Sequence, residues 1–276
     1  MSSIKKGSLL EEPDIAKIRQ QARIKLTELS KLNDVIGVQI FAILGLQAHV
    51  LYYPLDEDGP WGFTCQGDGK PFIAINTAIV VEKQVFAAAH ELYHIWFNGK
   101  ADFIPSSVLG EIDEQGVMLD TSELKANRFA AEFLVEESLL KQEMQHYSIY
   151  SGRVAVKDIL MLANLFFIPY ETMVKRLYEI DAITIIECET FLQQSVESVN
   201  NLRRRYSFPI PAADNRIALD TLSDLAVKQF EKKNITYEKL TYLLNMSGLQ
   251  PEDVGIDKPA DYIPPTDDEL DSIMEE

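Results

Sequence analysis

Cysteine is nearly absent. The two that occur, Cys65 and Cys188, stand far apart without a CxxC pair, so neither a disulfide framework nor a thiolate metal site is expected. Long apolar runs are missing as well: none reaches the ~18 residues that a membrane span requires. The opening MSSIKKGSLLEEPD has charges but no apolar stretch behind them, so neither export nor membrane insertion is expected. Positive charge is in deficit, with 26 Lys and Arg against 43 Asp and Glu and a formal net charge of -17. Such a chain makes a poor neutraliser of nucleic-acid phosphates, and direct nucleic-acid binding is not expected. What is present is a 46% hydrophobic composition in 276 residues, enough for a sizeable core. The expectation is an acidic, soluble, cytoplasmic protein.

Periodicity organises the chain. PDIAKIRQQARIKLTELSKL, from Pro13 to about Leu32, has apolar residues at helical spacing and a proline suited to a first turn. VIGVQIFAILGLQ reads as a second helix, ending near Gly45 and running into a strand over residues 48–54. GPWGFTCQGDGKPFIAINT reads as a hairpin turning at Gly67, Asp68 and Gly69. AIVVEKQVFAAAHELYHIWFNGK then carries a buried stripe through Val81, Val85, Ala88 and Leu92, with a helix stop at Asn98 and Gly99. After the acidic stretch GEIDEQGVMLD, another helix opens at Asp120 and Glu123 with capping-box spacing, and Phe129, Phe133 and Leu134 share its apolar face. A helix pair broken around Ile168 and Pro169 has helix-turn-helix shape. The predicted fold is α+β: a small sheet on the histidine-bearing helix, with a mainly helical region after it. The predicted domains are residues 1–180, a helical 181–260 and an acidic tail over 261–276.

Chemistry concentrates in AAAHELYHIWFN. His90 and His94, two of only four histidines, stand four apart in a helix and project from one face a turn apart. Both imidazoles can reach one cation, and Glu91 beside them can take a proton from an attacking water. The apolar neighbours Ala87, Ala88, Ala89, Leu92 and Ile95 bury this helix, and buried histidines need partners. A catalytic zinc requires a third protein ligand. No third histidine follows at HExxHxxGxxH spacing, and His49 and His146 read as surface or hydrogen-bonded residues. Carboxylates are the better candidates. Glu123 lies in the first turn of the next helix, and Asn127, one turn on, could orient a ligand histidine. Manganese or iron would also suit two imidazoles and a carboxylate, with zinc favoured.

FAAAHELYHIWF followed by ELKANRFAAEFLV resembles the ImmA/IrrE family of metallopeptidases, whose pattern is HExxH and then ExxAN-x-FAA. GKPFIAINT resembles that family's strand before the catalytic helix, and LANLFFIPYETMVKRLYEI resembles the helix pair that commonly follows. The resemblance covers residues from about 15 to 180. It implies zinc ligands at His90, His94 and Glu123, Glu91 as base, and a narrow protein substrate: a helix-turn-helix transcriptional repressor of a mobile element or stress response. The chain departs from the family where a run like LLMP often closes the second helix, since here FLVEES stands in its place. No repressor-type N-terminal DNA-binding domain is evident.

Two functions follow as expectations. The first is a zinc endopeptidase that regulates transcription by cleaving a repressor. The second is a non-proteolytic DNA-binding or repressor-binding regulator with a structural or vestigial metal site, for which the helix pair and the run Arg203, Arg204, Arg205 speak. The charges between Ser151 and Ile180 are barely positive, and the arginine run reads as a solvated face. Cys65 reads as a buried small hydrophobe, and Trp61, Trp96, Phe129 and Phe133 as core.

Overall fold

A computed structural model describes residues 10–65, 70–98, 121–219 and 222–258. By internal contacts the chain divides into two compact units, Met1–Ile217 and Ala218–Glu276. The turn expected at Gly67 to Gly69, the Gly99 helix stop, the acidic stretch with Asp120, and the tail over 261–276 lie outside the described residues.

The first unit is α+β, as expected. Its strands are β1 (His49–Tyr53), β2 (Gly62–Cys65) and β3 (Phe72–Asn76). β3 lies in the middle, parallel to β1 with Val50 opposite Ile73, and antiparallel to β2 with Thr64 opposite Ile73. The hairpin is therefore present as β2 and β3. Val50, Ile73, Ala74 and Ile75 are buried, so the middle strand reads as a nearly continuous apolar run and not as an alternation. Asn76 ends it by donating its side-chain amide to Asp56 O at 2.6 Å and Pro60 O at 3.1 Å, which closes the loop before β2.

Nine α-helices complete this unit among the described residues: α1 (Glu12–Glu28), α2 (Ile40–Gln47), α3 (Val81–Tyr93), α4 (Thr121–Leu134), α5 (Glu137–His146), α6 (Val156–Phe166), α7 (Tyr170–Glu179), α8 (Ile185–Leu192) and α9 (Val196–Arg205). α3 is buried almost throughout, because Ala87, Ala88 and Ala89 let it approach its neighbours closely. It packs against β2 and β3 on one side and α4 on the other. α4 in turn is fixed to α1 by polar contacts, Lys125 to Asp14 at 3.2 Å and Arg19 to Glu132 at 3.3 Å. Arg176 of α7 enters the same cluster, fully buried, donating to Glu132 Oε2 at 3.0 Å and to Val135 O at 2.8 Å.

The α6 and α7 pair has the expected break, with Phe167 in the left-handed region at φ 54° and Pro169 as the N-cap of α7. Met173, Val174 and Leu177 of α7 are completely buried, so its apolar face is spent on the core. Drawn by contacts, the first unit runs on to Ile217, since α7 packs on α8 and α9 sends a buried arginine back to α3. Arg203 is that arginine: it is 2% exposed and paired with Glu82, which corrects its reading as part of a solvated face.

The second unit contains a short strand β4 (Ala218–Leu219), α10 (Leu222–Glu231) and α11 (Tyr237–Met246). Ala226, Leu240 and Leu244 form its core, with Phe230 and Ile256 packed around them. No helix among the described residues is long and apolar enough to cross a membrane.

Candidate metal centre

α3 delivers His90 and His94 to one place because four residues make slightly more than a turn. At His94 the helix widens into a π turn, His94–Asn98, a deviation that frequently accompanies functional positions. Within that turn Trp96 and Phe97, and just before it Tyr93, meet α4: the Trp96 and Phe133 ring centroids lie 5.7 Å apart, Phe97 and Phe129 5.5 Å, and Tyr93 and Phe129 5.5 Å. This aromatic seam, whose rings meet edge-on or tilted, sets α4 at the height where Glu123 faces the histidines.

Donor atoms of three residues converge there. His90 Nε2 lies 3.1 Å from His94 Nε2 and 3.1 Å from Glu123 Oε2, and His94 Nε2 lies 3.3 Å from Glu123 Oε1. All three residues are buried. His90 Nδ1 stands 2.8 Å from Asn127 Oδ1 and donates its proton there, since an amide oxygen can only accept. The His90 Nε2 lone pair is then directed at a carboxylate, an arrangement that repels unless a proton or a cation lies between them. Glu123 Oε1, although buried, has no hydrogen-bond partner among the described residues. Atoms about 2.0–2.1 Å from a common tetrahedral centre stand about 3.3 Å apart, so the observed spacing suits a zinc-sized ion. His90, His94 and Glu123 thus form a group able to hold a metal ion.

The electrostatics agree. Burial opposes the charged form of His90, but the hydrogen bond and charge of Glu123, the charge of Glu91 and the contact with Asn127 outweigh it and raise its pKa. Burial would raise Glu123, yet contact with His90 and His94 in their protonated forms pulls it down to about 2. The pocket favours positive charge.

Glu91 is buried beside the ligands, and its Oε2 accepts a 2.6 Å hydrogen bond from Thr64 Oγ1 of β2. Thr64 was not singled out in the sequence. β2 turns Gly62 and Thr64 inward and Cys65 outward, an alternation too short over four residues to be read from the sequence. Cys65 is accordingly exposed, not the buried hydrophobe expected, because the inward position next to it belongs to the residue that meets Glu91. Gly62 also has a steric role: a Cβ there would stand 3.4 Å from Glu91 Oε1 and 3.1 Å from Ala74 O. His49, in β1, and the exposed His146, at the end of α5, are not in the cluster.

Paired imidazoles and a carboxylate from α3 and α4, with a buried glutamate alongside, are the kinds of group that zinc hydrolases use. A family model described as the IrrE N-terminal-like domain, a peptidase family, matches residues 34–178, and the chain belongs to that family. The matched span runs from before α2 into α7 and contains every residue of the cluster. Membership supports a metallopeptidase type of function in general. No curated protein and no solved structure matches the chain.

Proposed function

We propose that this protein is a zinc-dependent endopeptidase acting on a specific protein substrate, a helix-turn-helix transcriptional repressor of a mobile element or stress response. The observation that carries the reading is the convergence of His90, His94 and Glu123 within 3.1–3.3 Å, with Glu91 buried beside them. His90, His94 and Glu123 would hold the ion, and Asn127 would fix the His90 ring in the tautomer that presents Nε2. When bound, a divalent cation supplies Lewis acidity for a peptide carbonyl and lowers the pKa of water towards ~7. Glu91 would take the proton from the attacking water and deliver it to the leaving amine, with Thr64 steering the carboxylate. Burial of the cluster excludes bulk water and strengthens each of these interactions. Zinc is preferred to manganese or iron for the compact spacing, although the same donor set accepts all three. The repressor substrate rests on family resemblance.

Against the DNA-binding alternative speaks Arg203, which is buried and paired with Glu82 and so is not offered to a phosphate; Arg204 and Arg205 of the same run are exposed. The test has two parts. Elemental mass spectrometry of the purified chain should find about one zinc per molecule, lost in His90→Ala and in Glu123→Ala. The loaded protein should then cut a candidate repressor at a discrete bond, and Glu91→Gln should abolish the cut while retaining zinc. Cleavage that survives Glu91→Gln, or zinc that survives both ligand substitutions, would refute the assignment.

A further inference from the structure

About two turns before the paired histidines, the start of α3 faces a second concavity of the same unit. Together with the start of α7, with α9 and with the segment after it, α3 encloses a cavity of about 590 Å3 whose apolar wall includes Trp61, Pro169 and Val199. That is within the ~300–1,000 Å3 typical of small-ligand sites. Its charged lining is unbalanced, with Glu57, Asp58, Glu82 and Glu171 against Lys83 and Arg203. Both cations are already engaged. Arg203 donates to Pro209 O at 3.1 Å and reaches Glu82 Oε1 only at 3.5 Å, and Lys83 Nζ lies 4.8 Å from the centre of the Trp61 ring. Burial accordingly pushes the Glu82 carboxyl up to about 7 against the pull of Arg203, and Glu171 adds to the rise.

A second observation points into the same space. Tyr170 lines the cavity and is 4% exposed, and its hydroxyl has no hydrogen-bond partner among the described residues. Burial, with the Glu171 charge adding to it, raises its pKa and keeps the hydroxyl neutral, so it offers one proton and two acceptor positions that go unused. Buried polar groups are normally satisfied, and one that lines a cavity beside an under-compensated carboxylate marks a place for a partner.

We propose that this cavity binds an organic ammonium, a primary ammonium head on an apolar chain. The head donates to the Glu82 carboxylate and to the Tyr170 hydroxyl, and the chain lies along Trp61, Pro169 and Val199. A compact head with three rotatable donors suits two separate acceptors, whereas a guanidinium fork needs both oxygens of one carboxylate, and Arg203 already takes one side of Glu82. Glu57, Asp58 and Glu171 hold the surrounding potential negative. A free amine and a lysine side chain carry the same head. The proposal does not depend on the peptidase reading.

Isothermal titration calorimetry of the full-length chain tests it, with pentylamine, Nα-acetyl-lysine amide, and pentanoate as the anion of matching length. Pentylamine should bind once per chain, pentanoate should not bind, and Glu82→Gln should weaken the amine at least tenfold. Tighter binding of the lysine amide than of pentylamine assigns the site to polypeptide lysines, and the reverse order to a free amine. The affinity should be unchanged in His90→Ala, which separates this cavity from the metal centre and keeps its fate distinct from that of the peptidase assignment. Val199→Trp, which fills the cavity from α9, should also abolish binding, and circular dichroism melting shows whether each variant is folded. No amine binding at millimolar concentration, preference for pentanoate, or unchanged affinity in a folded Glu82→Gln or Val199→Trp overturns the proposal.

Discussion

At the scale of single residues, the contact between His90 Nδ1 and Asn127 Oδ1, 2.8 Å long, decides which nitrogen is presented to Glu123. Removing such an orienting partner typically costs ~10–100-fold in metal affinity. Asn127→Ala should therefore bind zinc about tenfold or more weakly in competition with a chelating dye, with little change in melting of the metal-free protein. Thr64 acts on the other side of the helix. Thr64→Val keeps the shape but removes the donor to Glu91, so zinc content should stay near one while cleavage slows; Thr64→Ser should restore most of the rate. A rate unchanged in Thr64→Val would show that Glu91 needs no steering. Glu82 gives a pH signature. Its carboxyl titrates near 7 when folded and near the ordinary 4.5 when unfolded, so its favourable contribution is complete below pH 4.5 and is lost as pH rises through 7. The loss amounts to about 3 kcal/mol. Wild-type stability should thus fall relative to Glu82→Gln between pH 5 and 7, measured by urea unfolding at each pH.

Elements differ in how much of them could be read from the sequence. α3 and α4 were legible because their apolar residues recur at helical spacing; that spacing puts His90 and His94 on one face of their helix and Glu123 and Asn127 on one face of theirs, and the family resemblance is what joined the two faces. β2 is only four residues long, and so short a strand leaves little alternation from which to learn which side Thr64 takes. Arg203 was hidden for a different reason. A run of three arginines looks solvated, and only tertiary packing, which brings Glu82 from a helix more than a hundred residues earlier, reveals that the first of them is buried. Arg176 belongs to the same class. It joins α7 to α4 through Glu132 and Val135, and truncating one partner of a buried pair typically costs ~3–5 kcal/mol. Arg176→Met should lower the melting temperature markedly, and Arg176→Lys, which keeps a charge beside Glu132, should lower it less; Glu132 itself stays paired with Arg19 and Arg128. An equal deficit in the two variants would show that the packing of the guanidinium, and not its charge, carries the cost.

For the molecule as a whole, His90, Glu91, His94 and Glu123 all lie in Met1–Ile217, and Ala218–Glu276 has a small core of its own around Leu240 and Leu244. A chain ended after Ile217 should accordingly keep its zinc stoichiometry and unfold in one cooperative transition, by elemental analysis and calorimetry. Loss of the metal in that truncation would give the second unit a part in the centre. The aromatic seam between the helix that carries the histidines and the helix that carries the glutamate has a further effect. Tyr93, Trp96 and Phe97 already hold the two helices in register through Phe129 and Phe133, so the arrival of an ion has little backbone left to order. Hydrogen exchange of the amides from Val85 to Leu92 should then be nearly as slow in the stripped protein as in the loaded one. Metal in this chain would be a reagent held by a finished scaffold, and its removal would silence the chemistry without loosening the fold.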